Sequence, residues 1–190
     1  DNDEFFALVD PDGTTIVDAL EDIEHRLGMS YGRIDSASDE FALFQSVTPG
    51  EANRNPISGV VKDTKFSVDR GFHTESFEVT ITTETEGARI LYTTSGRAPS
   101  EGTIFTGVIE HEYTGPITIS ETTVLRAAAF KKGFAPSNID TQTYLFPQDV
   151  VKQDNLRTSI TESNEYGPQL IDALTSLPSI SLAVDDLQKV

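Results

Sequence analysis

From Phe77 to Ile81 apolar side chains stand at every second position, with Glu78 and Thr80 between Phe77, Val79 and Ile81. A period of two belongs to a β-strand with one buried and one wetted face. The same texture recurs in short runs at residues 66–68, 90–94, 105–113, 117–119, 123–130 and 139–146, punctuated by Glu86-Gly87 and Ser95-Gly96. With residues 77–82 the count reaches seven, the number that an immunoglobulin-like sandwich requires. In residues 123–130 the alternation assigns Leu125, Ala127 and Ala129 to the core and Arg126 to the wetter face.

Upstream, the apolar run 5–10 meets Pro11-Asp12-Gly13 and then the β-branched run 14–20. That order predicts a hairpin about an Asp-Pro-Asp-Gly turn. Residues 21–27 suit a helical turn without a clear cap, and 30–34 and 41–47 read as strands closed by Thr48-Pro49-Gly50-Glu51-Ala52-Asn53. The polar stretch with Asn55-Pro56 marks a linker over 54–61. Beyond Pro147 the period changes. Pro168 suits the first turn of a helix carrying Leu170, Ile171, Leu174 and Leu177 on one stripe and ended by Pro178. Ile180, Leu182 and Val184 then alternate like a strand with no partner following. The fold class is therefore all-β: a partial β unit over 1–53, a linker over 54–61, an immunoglobulin-like sandwich over 62–147, and a tail over 148–190 with one short helix.

Composition narrows the function. The chain has 190 residues, 37% hydrophobic, and no run near the ~18 to 20 apolar residues of a membrane span. A formal charge of −17 disfavours nucleic acid, whose binding rests on clustered Lys and Arg. The pair Lys131-Lys132 before Gly133 reads as a turn. The absence of cysteine removes disulfides and thiolate chemistry. Asp1-Asn2-Asp3-Glu4 has none of the regions of a signal peptide, so a secreted origin is not read from this segment.

The residues that carry chemistry are sparse. Glycosidases hold two carboxylates across a sugar, but with 31 acidic residues a chance pair is assured, and solvated carboxylates are the expectation; Asp185-Asp186 reads the same way. His25, His73 and His111 are too far apart in the chain for a short metal-ligand motif, and no Gly-x-Ser-x-Gly elbow occurs. Asp10 and Asp12, with Asp18 and Asp22 further along, offer oxygen ligands for calcium, although Asp, Pro and Gly equally suit a tight reversal for backbone reasons. No other cofactor is implied. Sugars stack on exposed rings. The chain has no Trp, which leaves Tyr92, Tyr113 and Tyr144 as ligand-binding candidates, although a core ring with its hydroxyl at the rim is the preferred reading of each.

Three stretches resemble known families. Phe5-Phe6-Ala7-Leu8-Val9-Asp10-Pro11-Asp12-Gly13, Met29-Ser30-Tyr31-Gly32-Arg33 and Thr48-Pro49-Gly50-Glu51-Ala52-Asn53 resemble the second half of a lamin-tail domain of bacterial extracellular proteins. Residues 77–83, Ala88-Arg89-Ile90-Leu91-Tyr92-Thr93-Thr94, Gly115-Pro116-Ile117, residues 123–130 and 137–146 resemble the chitobiase/β-hexosaminidase C-terminal domain nearly end to end. Tyr166-Gly167-Pro168-Gln169-Leu170 through Leu182 resembles the entrance to a spore-coat-protein-H-like kinase domain, whose catalytic part would follow Val190. Together the resemblances imply an internal piece of a large secreted bacterial protein, extracellular or on the cell surface. The expected role is a non-catalytic structural, spacer or assembly module that meets other chains or other domains of the same polypeptide. The alternative is a carbohydrate-binding accessory module with polysaccharide as partner, and a third class is a fragment contributing to a kinase-like site.

Overall fold

The computed structural model describes residues 5–21, 28–35, 37–101 and 111–183. The chain is all-β, with few and short helices, and forms two compact units: Asp1–Gly59 with Gly133–Ala135, and Val60–Lys132 with Pro136–Val190.

In the first unit, β1 (Phe6–Val9) and β2 (Ile16–Leu20) form an antiparallel ribbon. Phe6 faces Leu20, Ala7 faces Ala19 and Leu8 faces Asp18, and a bulge then shifts Val9 opposite Ile16. The tip is the expected turn. The Gly13 amide donates to the Asp10 carbonyl (2.9 Å), the Asp10 amide donates to the Thr15 carbonyl (2.8 Å), and Gly13 adopts φ 74°, which a residue without Cβ tolerates at no steric cost.

A separate three-stranded sheet, in the order β3-β4-β5, holds β3 (Ser30–Arg33), β4 (Phe41–Phe44) and β5 (Pro56–Ile57). Residues 54–61, read from sequence as a linker, thus contain a strand: Ile57 and Pro56 pair with Leu43 and Phe44. Proline lacks an N–H and is tolerated at a sheet edge, which is where β5 lies. Two sequence motifs meet on this sheet. The Asn53 side-chain amide donates to the Arg33 carbonyl (2.8 Å), and a Cβ on Gly32 would lie 3.0 Å from that same Asn53 nitrogen, so Gly32 admits the contact. The Arg33 guanidinium sits 4.7 Å over the Phe41 ring and reaches Asp18 (3.0 Å) and Asp39 (2.8 Å), tying β2 to β3. The expected helical turn over 21–27 lies almost wholly outside the described residues.

The second unit is the immunoglobulin-like sandwich. Its strands are β6 (Thr64–Phe66), β7 (Gly71–Phe72), β8 (Phe77–Val79), β9 (Ile81–Thr83), β10 (Arg89–Thr93), β11 (His111–Glu112), β12 (Ile117–Ile119), β13 (Thr123–Phe130) and β14 (Asp140–Leu145). One layer is a five-stranded sheet in the order β11-β10-β13-β14-β7. In the other, β8 and β9 run in succession with a break at Thr80, β8 pairing with β12 and β9 with β6. Of the strand expected over 105–113, the described part is β11, and residues 105–110 lie outside the described residues.

Alternation delivers the core as the pattern predicts. Leu125, Ala127 and Ala129 of β13, Val79 and Ile81 of the facing layer, and Ile119 of β12 are buried, each aliphatic side chain of Leu, Ile or Val size contributing roughly 2 kcal/mol of transfer free energy. Arg126 differs from expectation. It does point to the opposite face of β13, but that face is covered as well, and Arg126 is only 6% exposed. Its Nε donates to the Thr141 hydroxyl (3.1 Å) and one terminal nitrogen donates to the Gly96 carbonyl (3.2 Å). Beside it, Ser95 forms a parallel bridge to Val124, and the Gly96 amide donates to the Val124 carbonyl (3.2 Å).

Three carboxylates stitch loops and strands together. Asp140 accepts from the Thr64 amide (2.8 Å) and hydroxyl (2.6 Å), joining β6 to β14. Asp63 accepts from the Asn138 amide (2.9 Å), and Asp149 from the Thr122 amide (2.8 Å). Ionised acceptors make stronger hydrogen bonds than neutral ones.

The tail holds more helix than the single segment expected: α1 (Pro147–Val150), α2 (Thr158–Thr161), a 3-10 turn over Gly167–Gln169 that contains Pro168, and α3 (Leu170–Ser176). Leu170, Ile171 and Leu174 are half-buried, whereas Leu177 is exposed. Residues 177–183 do not pair as a strand. Ile180 and Leu182 project outward, and the Ser181 hydroxyl bonds to Thr143 (2.7 Å). Val184, Asp185 and Asp186 lie outside the described residues.

Candidate interaction surface

The turn that sequence offers to calcium is organised around Asp12. One carboxylate oxygen accepts the amides of Thr14 and Thr15, both at 2.8 Å, and the other accepts the Thr15 hydroxyl. The Thr15 hydroxyl first, then the two amides, hold the carboxyl down at about 2, because each donor favours the charged form. This is a side chain closing its own reversal. Asp10 enters the same turn through its backbone, and Asp18 is engaged by Arg33, so the three are not converged on a common point. Asp22 lies outside the described residues. Among the described residues no three His, Cys, Asp or Glu side chains gather in a way that would hold a metal ion.

The three tyrosines separate. Tyr144 is fully buried, and its hydroxyl donates to the Val68 carbonyl (2.8 Å). Burial, and secondarily the charge of Asp69, pushes its hydroxyl up to about 12. As a ligand-binding candidate it is corrected to a core residue: its strand points it between the layers, against Phe77 at 5.1 Å between ring centroids. Tyr92 and Tyr113 are half-buried near the β11 edge. The Tyr92 ring stacks on His111 (5.1 Å, 27° between planes), its cross-strand partner, and the Tyr113 amide donates to the Ile90 carbonyl (2.9 Å). Since Ile90 and Tyr92 share one face of β10, opposite Ala129 and Ala127, the rings of Tyr92, His111 and Tyr113 belong to the inner side of the sheet, at its β11 edge. A groove of about 550 Å³ runs beside them, lined by Thr83, Arg89, Glu112 and Tyr113 among others. A larger hollow of about 650 Å³ lies between Arg70, Thr141, Thr143 and Leu145 and the extended segment at Ser181.

The histidines are not brought together. His111 is exposed on β11, and His73 is enclosed by rings, with Phe77 at 4.2 Å, Tyr144 at 5.5 Å and Phe146 at 6.3 Å. Its Nε2 is buried without a hydrogen-bond partner among the described residues. His25 lies outside them.

The most conspicuous surface lies in the partial β unit, whose resemblance to half a domain implies apolar faces and unpaired strand edges that something else must cover. On the β1–β2 ribbon Phe5, Phe6, Leu8, Ile16 and Val17 are all more than half exposed, Leu8 reaching 64%. Phe6 and Leu8 lie on one face of the ribbon, and Val9 and Ile16 are cross-strand neighbours at its bulge. Apolar side chains are thus wetted on both faces, an area on the order of several hundred Å², the range that marks an interaction site. The signal available beforehand was the unbroken run Phe5-Phe6-Ala7-Leu8-Val9, because strands covered on both sides read as continuous apolar runs rather than alternating ones.

Residues 68–141 match the family model of the chitobiase/beta-hexosaminidase C-terminal domain. The match runs from the loop before β7 into the start of β14, and takes in Tyr92 and Tyr113. That family is a C-terminal accessory domain of glycosidases and is not itself catalytic. No curated protein and no solved structure matches the chain. Among the described residues no helix is long and apolar enough to cross a membrane.

Proposed function

We propose that this chain is a non-catalytic structural and assembly module of an extracellular polypeptide, in which the sandwich acts as a rigid spacer and the β1–β2 ribbon joins another chain or domain. The observation that carries this reading is the ribbon's double exposure. A two-stranded ribbon is marginal alone in water, and a strand whose side chains are apolar on both faces has the composition of an interior strand. Main-chain hydrogen bonds along its edges supply affinity, and the alternating side chains set register. The resemblance of residues 5–53 to half of a lamin-tail domain, and of residues 166–182 to the entrance of a kinase-like domain, supports a multidomain parent outside the cell. Hydrogen exchange tests the reading: the amides of Phe6–Val9 should exchange slowly in the native assembly and fast in the isolated chain, and fast exchange in both refutes it.

A second reading, polysaccharide binding by the sandwich, is supported by the rings of Tyr92 and Tyr113 on one side of the β11 edge together with the family match over residues 68–141. Affinity electrophoresis in a gel containing glycol chitin should then retard the chain, and Tyr113→Ala should abolish the retardation. Unretarded migration of the unmodified chain removes this reading.

A further inference from the structure

The chemistry of the ribbon's partner follows from where the charge of this chain lies. Residues 1–24 hold nine acidic residues and no Lys or Arg, so more than half of the net charge of −17 belongs to the segment that contains the ribbon. Asp10 and Asp12 cap one end, and Glu21 follows β2 at the other; all three are exposed. The apolar surface at Phe6, Leu8, Ile16 and Val17 is therefore bracketed by negative charge. Among the described residues, Asp18 is the acidic residue of the ribbon that has an ion-pair partner, Arg33.

Three kinds of occupant meet this surface differently. A second copy would bring two such acidic segments within a Debye length of about 10 Å, where like charges oppose association. An anionic lipid surface would repel it for the same reason. A protein with a free strand edge, an apolar cleft and Lys or Arg along the rim satisfies all of the ribbon's properties at once. Its edge takes the unpaired backbone of β1 or β2, which among the described residues pair only with each other. Its cleft covers both apolar faces, and its cations meet the flanking carboxylates.

Resting on the assembly reading above, we propose that the β1–β2 ribbon adds as a strand pair to an open-edged β-domain whose groove is apolar inside and basic at the rim. Opposite charge speeds the encounter and fixes orientation, and the apolar side chains keep the complex together.

Two labelled synthetic strand peptides of equal length, one of alternating Lys and Val and one of alternating Glu and Val, test this by fluorescence anisotropy with the full chain. The Lys-Val peptide should bind at least roughly ten-fold more tightly than the Glu-Val peptide, and raising the salt should weaken it. Leu8→Thr should cost the Lys-Val complex roughly ten-fold in affinity, and because Leu8 is exposed the fold is retained. Asp10→Lys should weaken binding similarly with the apolar face intact, whereas Glu162→Lys, an equal charge change in the second unit, should not. Equal affinity for both peptides, insensitivity to Leu8→Thr, or equal effects of Asp10→Lys and Glu162→Lys overturns the proposal. So does self-association of the chain at low salt that Leu8→Thr abolishes, since the occupant would then be a second copy. If the peptide preference fails while the ribbon amides remain protected in the native assembly, the basic partner is wrong and the assembly reading stands.

Discussion

Strand β13 and ribbon strand β1 are built from similar materials and end in opposite environments. β13 carries Val124, Leu125, three alanines and Phe130, and every one of its residues is buried or half-buried. β1 carries Phe6, Ala7, Leu8 and Val9, and every one is exposed. What differs is the number of neighbours in two directions. β13 lies between β10 and β14 within its sheet, has the second layer on one face, and gains a further bridge from Ser95 at Val124. β1 has β2 alone as its strand partner among the described residues. An apolar run thus specifies a need for cover, and the rest of the chain decides whether that need is met.

The sharpest way to break this comparison is to truncate a leucine in each strand. Leu125→Ala removes a fully buried side chain and should lower unfolding free energy by about 2–5 kcal/mol. Leu8→Ala should change it by less than about 0.5 kcal/mol. Chemical denaturation followed by fluorescence or circular dichroism separates the two, and equal losses would mean that the ribbon is covered in the isolated chain. A second substitution sharpens the account of β13. If Arg126 stood on a wet face, Arg126→Ala would be nearly silent. Buried as it is, with Thr141 and the Gly96 carbonyl left without its donors, the same change should cost about 1–3 kcal/mol.

The two regions should also respond to pH, at opposite ends of the scale. The Tyr144 hydroxyl, raised to about 12, binds its proton more tightly folded than unfolded. The sandwich therefore keeps this contribution below pH 10 and loses about 2 kcal/mol as pH rises from 10 to 12. Tyr144→Phe should remove that alkaline dependence. The Asp12 carboxyl, lowered to about 2, gives stability to the turn above its ordinary value near 4, and that stability is lost as pH falls through 2. Amide exchange at Thr14 and Thr15 should speed up over that acid range while the amides of β13 are unaffected. Simultaneous loss in both regions would show that they unfold together.

Legibility followed the size of the local signal. The strand over residues 123–130 was readable to the residue, and so were β12 and the Asp-Gly reversal, because alternation and turn chemistry are written within a few neighbouring positions. β5 and β7 were not, since two-residue strands at sheet edges carry no period of their own. The roles of Asp140, Asp63 and Asp149 were equally hidden. Each accepts from a backbone amide 27 to 76 positions away, and nothing near it in the chain marks the partner. The meeting of Asn53 with Gly32 and Arg33 lay between: both motifs were visible, and their contact was not.

By itself the sequence determined the all-β class, the turn at Asp12, the inward set Leu125, Ala127 and Ala129, and the large negative charge, because strand periodicity, turn preference and charge are local properties of composition and order. Only the tertiary structure decided that Arg126 is buried, that Tyr144 leaves the surface while Tyr92 and Tyr113 remain near it, and that the most apolar run of the first unit is wetted on both faces. Burial depends on what packs from elsewhere in the chain, and no residue encodes its distant neighbours.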